Sequence, residues 1–329
     1  MKLLRFIKKS IRITLMIVLF GISYSFFFST YENIKVNAMI SNFKNRATQS
    51  SELISQSNAK YYRRYWIVPR ETSEQDGLNV FNDSEKKELG RRGDIFVTRQ
   101  SPFKNVLGLH QFMTYYFGGH AALLDYENGT PVFYESTGFP DDFNEFIDVL
   151  LSNGEKGHGL GTTAGKRSGN YWFNHSTSED YYNLFYRSKF VGLRVKNPYL
   201  ADGNLQVTYD DIVENALKMA REKYKNEALY NFLFFLDTKN KYYCTDFVSR
   251  SYEEAFLNVI NNDDTYRSRG YANNLNDDGF ITSVNDLILS EDTYIHFYVE
   301  IKEEKDPNTD EKIIVQNIYY LEDVSEDSI

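Results

Sequence analysis

A single cysteine stands among the 329 residues, so the chain holds no internal disulfide and no thiolate cage for zinc, which needs several thiolates. Basic charge is also short. Lys and Arg number 37 against 46 Asp and Glu, a net charge of −9, and without a basic field a phosphate backbone has little to hold it, so nucleic acid is not an expected partner. Histidine is scarce at five, and His110, His158, His175 and His296 do not fall in the HExxH spacing of a metalloprotease helix. No metal or other cofactor is expected. Internal repeats and low-complexity tracts are lacking too. What the chain has instead is aromatic residues, 26 Tyr and 25 Phe, a load that disordered chains do not carry and that fits one large or two modest globular domains.

The amino terminus reads as an export signal. Lys2, Arg5, Lys8, Lys9 and Arg12 are followed by a charge-free apolar run over residues 13–28. Val36-Asn37-Ala38 then offers small or modest residues where a leader peptidase reads, so residues 1–38 are expected to be a signal peptide cleaved after Ala38. The alternative is an uncleaved anchor, although a run over 13–28 falls short of the ~18–20 residues that span a bilayer. Either way the protein is expected outside the cell or associated with its envelope. In an oxidising compartment a lone thiol is either buried and inert or kept because it reacts, and that thiol is Cys244.

Residues 39–90 are polar with an aromatic knot at Tyr61, Tyr62, Tyr65 and Trp66, the texture of a linker followed by a helix or arm that packs on the domain. A domain is expected over residues 91–302, opening on a β-branched strand at 94–98. Residues 140–205 are rich in Gly, Asn, Ser and Tyr and read as an insertion that acts as a lid. Apolar spacing predicts helices over 208–224 and 244–259, and Thr282 or Ser283 can cap a shorter one. Strands are expected at 294–301 and 313–321, so residues 303–329 form a last strand and an acidic tail.

The clearest local element lies between these. Asn128-Gly129, flanked by apolar runs, is a strong hairpin signal because a type I′ turn needs positive φ at both central residues. With a two-residue turn Glu127 faces Thr130, Ala122 faces Glu135 and His120 faces Thr137. His120 and Glu135 then become diagonal neighbours on one face, ~7 Å or less apart. A thiol nucleophile needs a histidine within reach as base and a third group to orient that histidine. Cys244 opens its predicted helix, where unpaired N–H groups favour an anion.

The segments GDIFV (93–97), GGHAALL (118–124), VFYEST (132–137), YYCTDFVSRSYEEAF (242–256) and ITSVNDL (281–287) resemble, in content and order, those of the permuted papain-like amidases, the YiiX/YebB-like branch of the NlpC superfamily. The resemblance implies an α+β, circularly permuted papain-like (NlpC-like) fold, with an antiparallel sheet packed against the helix that carries the cysteine. It implies a cysteine amidohydrolase or peptidase whose triad is Cys244, His120 and Glu135. Its substrate would be an amide in a cell-wall peptide; an acyl-lipid or isopeptide substrate is the alternative, since the lecithin retinol acyltransferase relatives use the same order of residues. Thr245-Asp246-Phe247 stands where the family has Ser-Glu-Leu. A non-catalytic secreted binding module of the same fold is the rival from another class.

Other motifs fail on their own terms. Gly165-Lys166 imitates a P-loop, but residue 160 is Leu and Arg167 stands where a magnesium-binding Ser or Thr belongs, so no nucleotide is expected. Asn274, Asn276 and Asp278-Gly279 imitate half of an EF-hand loop, with Asn285 in place of the bidentate glutamate.

Overall fold

The computed structural model describes residues 2–49, 51–56, 61–100, 119–137, 143–151, 163–173, 188–196, 208–233, 240–260, 282–306 and 308–324. Among the described residues ten strands make one sheet: β1 (Thr48–Gln49), β2 (Ile54–Ser55), β3 (Tyr61–Val68), β4 (Ile95–Thr98), β5 (His120–Glu127), β6 (Thr130–Ser136), β7 (Ala164–Ser168), β8 (Lys189–Val195), β9 (Thr293–Lys305) and β10 (Lys312–Leu321). Their order is β1-β3-β10-β9-β8-β4-β5-β6-β7, with β2 on β3. The helices are α1 (Lys2–Asn45), α2 (Phe143–Leu151), α3 (Tyr209–Lys225), α4 (Cys244–Ile260) and α5 (Val284–Leu289). The class is α+β.

The sheet is mixed rather than antiparallel, because β3 runs parallel to β10. Residues 39–90, expected as a linker followed by a helix or arm packed on the domain, do pack on it, but as part of the sheet. The Tyr-Trp knot is a strand whose aromatics meet those of β10: Trp66 stacks on Tyr319 at 5.6 Å, and Tyr65 meets Tyr320 edge-on. Val68, Val80, Phe81 and Leu89 from the same stretch are buried in the common core.

Residues 140–205 are likewise not one lid. They supply α2, β7, the buried run from Asn170 to Phe173, and β8, which lies between β4 and β9. Six of the seven residues of β8 are buried, so it is an interior strand. Its Gly192 is required there, since a Cβ would sit 2.1 Å from the Phe297 ring.

The helices formed where the apolar spacing placed them. In α3, Thr208 accepts from the Asp211 N–H in a capping box, and Ile212, Val213, Ala216, Leu217 and Ala220 are buried. In α4 the buried stripe is Phe247, Val248, Tyr252, Ala255 and Phe256. Ser283 caps α5, with Asp286 reaching back to its N–H. Helices α3 and α4 pack on each other and on the β5–β6 hairpin, while α5 and the end of α1 pack on β9.

α1 is one continuous helix through residue 45, long and apolar enough to cross a membrane. The expected cleavage point after Ala38 falls inside it, next to Val36, which is fully buried against the domain.

Candidate active site

Asn128 and Gly129 have φ of +52° and +79°, and the β5–β6 register runs Glu127 to Thr130 and Leu123 to Tyr134, as a two-residue turn dictates. His120 and Glu135 therefore share a face, and His120 Nε2 meets Glu135 Oε2 at 2.5 Å. Glu135 is fully buried and His120 is nearly so. Gly119, at φ +89°, lets β5 begin hard against its neighbours: a Cβ there would lie 2.2 Å from the Thr98 carbonyl oxygen and 2.8 Å from Val284.

Cys244 comes from the other side of the hairpin, as the first residue of α4, and is partly exposed. Its neighbours are clamped on both sides. Ser136 Oγ, one residue beyond Glu135, donates to the Tyr242 carbonyl at 2.7 Å. The Thr282 N–H donates to Tyr243 Oη at 2.8 Å, and Thr245 Oγ1 donates to the Thr282 carbonyl at 2.5 Å. These bonds hold Cys244 near the His120 imidazole, close enough for the two to interact electrostatically. With Nε2 engaged by Glu135, the nitrogen left for sulfur is Nδ1. The three residues singled out from the sequence thus meet, with the imidazole between a sulfur and a carboxylate.

Electrostatics favours a charged imidazole. Burial pulls the His120 pKa down, but the Glu135 charge, the nearby Cys244 and the hydrogen bond to Glu135 outweigh it, leaving the pKa raised above its ordinary value. As the first residue of α4, Cys244 also carries one of the N–H groups that a helix leaves without an intrahelical partner.

Three further residues complete the surroundings, and all lie in the stretch that read as a lid. Tyr171 Oη donates to Glu135 Oε2 at 2.6 Å, and Arg167 Nε lies 2.5 Å from Glu135 Oε1. Trp172, fully buried, lies parallel to the His120 ring with centroids 6.0 Å apart. Arg167 sits on β7 diagonal to Glu135, which pairs with Gly165. The available signal for these was the aromatic run Tyr171-Trp172-Phe173, out of place in a solvated loop.

No family model matches the chain, and no curated protein or solved structure matches it either. Function therefore rests on the site itself.

The discarded motifs find structural explanations. Gly165-Lys166 lies within β7, an extended strand rather than a loop before a helix, and Lys166 Nζ pairs with Glu127. His296 is buried in the core, whereas His110, His158, His175 and residues 274–279 lie outside the described residues. Among the described residues no group of His, Cys, Asp and Glu is arranged to hold a metal ion.

Proposed function

We propose that the protein is a cysteine amidohydrolase of the permuted papain-like kind, acting on an amide in the cell envelope. The observation that carries this reading is the meeting of Cys244, His120 and Glu135, residues from three separate elements, with His120 bonded to Glu135 and close enough to Cys244 to feel it electrostatically. A histidine kept only for packing needs no thiol on its free nitrogen.

In this mechanism His120 takes the proton from Cys244, and the sulfur attacks the carbonyl carbon to give a tetrahedral oxyanion. The N–H of Cys244 is the natural first donor to that oxygen. The imidazolium gives its proton to the leaving nitrogen as the C–N bond breaks, which frees the amine and leaves a thioester. Water, deprotonated by His120, then attacks the thioester, and the thiol regains its proton as the acid leaves. Glu135 stays ionised throughout and holds the imidazole with Nδ1 toward sulfur. Tyr171 and Arg167 hold the carboxylate.

Export, read from the basic start and apolar helix, directs the search to cell-wall peptides first. A second reading, an N-acyl amide or lipid-borne ester, is favoured by the exposed apolar length of α1 on the same chain. Purified protein incubated with peptidoglycan fragments and with N-acyl amides, with products read by mass, tests both. Hydrolysis by the wild type and none by Cys244→Ala is expected. Absence of turnover on either class, together with a thiol that reacts only after unfolding, returns the protein to the binding-module class.

A further inference from the structure

α1 changes character part-way along. Every described side chain from Arg5 to Phe27 is exposed, and most are large and apolar, with Phe20 73% and Phe27 71% accessible. From Ser29 the pattern reverses. Ser29, Glu32, Val36 and Phe43 are buried, with Met39 and Ile40 packed against the core between them, the spacing of one face of a helix. This second half is tied in by named bonds. Lys44 Nζ pairs with Glu300 at 2.7 Å, Arg99 donates to Asn37 Oδ1 at 2.7 Å and to Asn33, and Asn285 Nδ2 reaches Asn33 Oδ1 at 3.3 Å and Glu32 at 3.4 Å.

A leader that is removed has no reason to build half its length into the fold. Cleavage after Ala38 would take away Val36, which is fully buried, and Glu32, Asn33 and Asn37 with their bonds. The charge-free stretch also continues past Phe28 to Tyr31, nineteen residues over 13–31, about 28 Å of helix at ~1.5 Å per residue against a hydrocarbon thickness of ~30 Å. Glu32, the first charge after it, already touches the domain. Five basic residues precede the stretch, which sets the amino terminus on the cytoplasmic side and the domain on the opposite one.

We propose that α1 is retained as a membrane anchor: residues 13–28 lie in the lipid bilayer, the uncharged residues 29–31 sit at its surface against the domain, and residues 29–45 are a structural part of the domain, so the Cys244 site is held at the membrane surface with no linker between. The occupant of the exposed apolar face is lipid, because those residues are apolar on all sides rather than along one stripe, as a partner helix would require. The route from bilayer to site is short. Asn285 meets Glu32 and Asn33, its neighbour Val284 packs on Gly119, and Gly119 precedes His120.

The test uses the full chain and reads neither turnover nor thiol reactivity, so its failure is separate from failure of the hydrolase reading. The protein is expressed with residues 1–329, cells are fractionated, membranes are washed with alkaline carbonate, and the intact mass is measured. Membrane-bound protein resistant to carbonate, with residues 1–38 still attached, is expected. Material released to the medium and beginning at Met39, or full-length protein stripped by carbonate, overturns the anchor. Val36→Asp in the full chain then tests the docked half in detergent. It is expected to lower the unfolding temperature by more than about 5 °C while leaving carbonate resistance unchanged. Val36→Leu, which keeps the contact apolar, should stay closer to the wild type. If Val36→Asp unfolds like the wild type, residues 29–45 are not part of the domain and the proposal falls.

Discussion

Glu135→Gln isolates what the carboxylate does for the imidazole. The wild-type side chain is fully buried and accepts from His120 Nε2 at 2.5 Å and Tyr171 Oη at 2.6 Å, with Arg167 Nε 2.5 Å from its other oxygen. A glutamine of the same shape has one oxygen and one NH2 group, so it cannot accept from both sides. If its oxygen faces His120, its NH2 opposes Arg167; if it flips, two N–H groups face each other across the histidine. The Arg167 side chain keeps 46% of its surface in solvent, so the loss does not strand a buried cation and the fold should persist.

The magnitude follows from the bond lost. A hydrogen bond to a charged partner contributes roughly 1.5–3 kcal/mol, and one pKa unit corresponds to about 1.4 kcal/mol, so the imidazolium should become easier to deprotonate by about one to two units. That lowers the share of imidazolium paired with thiolate. Alkylation of Cys244 by iodoacetamide below neutral pH should slow by about 10- to 100-fold, while near-ultraviolet circular dichroism stays that of the wild type. Turnover should fall further, toward the factor of about 10⁴ seen for the same carboxylate-to-amide change in serine protease triads, because orientation is lost as well. An unchanged alkylation profile in a folded variant would refute the assignment of Glu135 as the group that supports the imidazolium.

Other expectations concern the same group of side chains. Cys244→Ala should abolish turnover, and adding His120→Ala should make it little worse, since the two act as one unit; additive losses measured on the best substrate would contradict this. Tyr171→Phe removes one donor to Glu135 at a cost of about 1 kcal/mol, read as a several-fold drop in kcat with KM unchanged. Trp172→Ala empties a fully buried site beside the His120 ring and should cost about 3–5 kcal/mol in urea unfolding; a cost below ~1 kcal/mol would mean the ring is not packed as described.

The legible parts of this protein were the local ones. Asn128-Gly129 sets a turn type, the turn sets the register, and the register brings His120 to Glu135 with no long-range information. Cys244 was readable as a helix start because Phe247, Val248, Tyr252, Ala255 and Phe256 repeat at helical spacing behind it. What the sequence concealed depends on pairing between distant segments. β3 is short of aliphatic alternation, and its buried Arg63 is satisfied by partners far along the chain: Phe173 lies 3.9 Å beneath the guanidinium and accepts from it through its carbonyl at 3.1 Å, and Gln316 accepts at 2.9 Å. β7, with the sequence Ala-Gly-Lys-Arg-Ser, carries no pattern of its own and becomes a strand by adding to the edge of β6. Its glycine-rich flanks hid the two groups that hold Glu135.

The fold also contains an internal control for His120. His296 is as buried as His120, yet its pKa is driven well below the ordinary value, first by burial and then by the charges of Arg194 and Arg70. Asp94 lies 3.4 Å from its Nε2 but without hydrogen-bond geometry, because that carboxylate is committed to Arg194 at 2.8 and 3.0 Å. Both carboxylates also meet a guanidinium, Arg167 at Glu135 and Arg194 at Asp94, but only His120 makes a hydrogen bond to its carboxylate. The consequence is measurable. The unfolded chain takes up a proton at this position near pH 6.5 and the folded chain does not, so stability present above about pH 6.5 is lost as pH falls below it, by up to about 1.4 kcal/mol per pH unit for this single group. His296→Phe keeps a ring of similar size and removes no hydrogen bond, since neither ring nitrogen makes one within the described residues. Urea unfolding at pH 7.0, 6.0 and 5.0 should therefore show a shallower decline for His296→Phe than for the wild type. Parallel curves would mean that His296 is protonated in the fold, and the contrast drawn between the two histidines would be wrong.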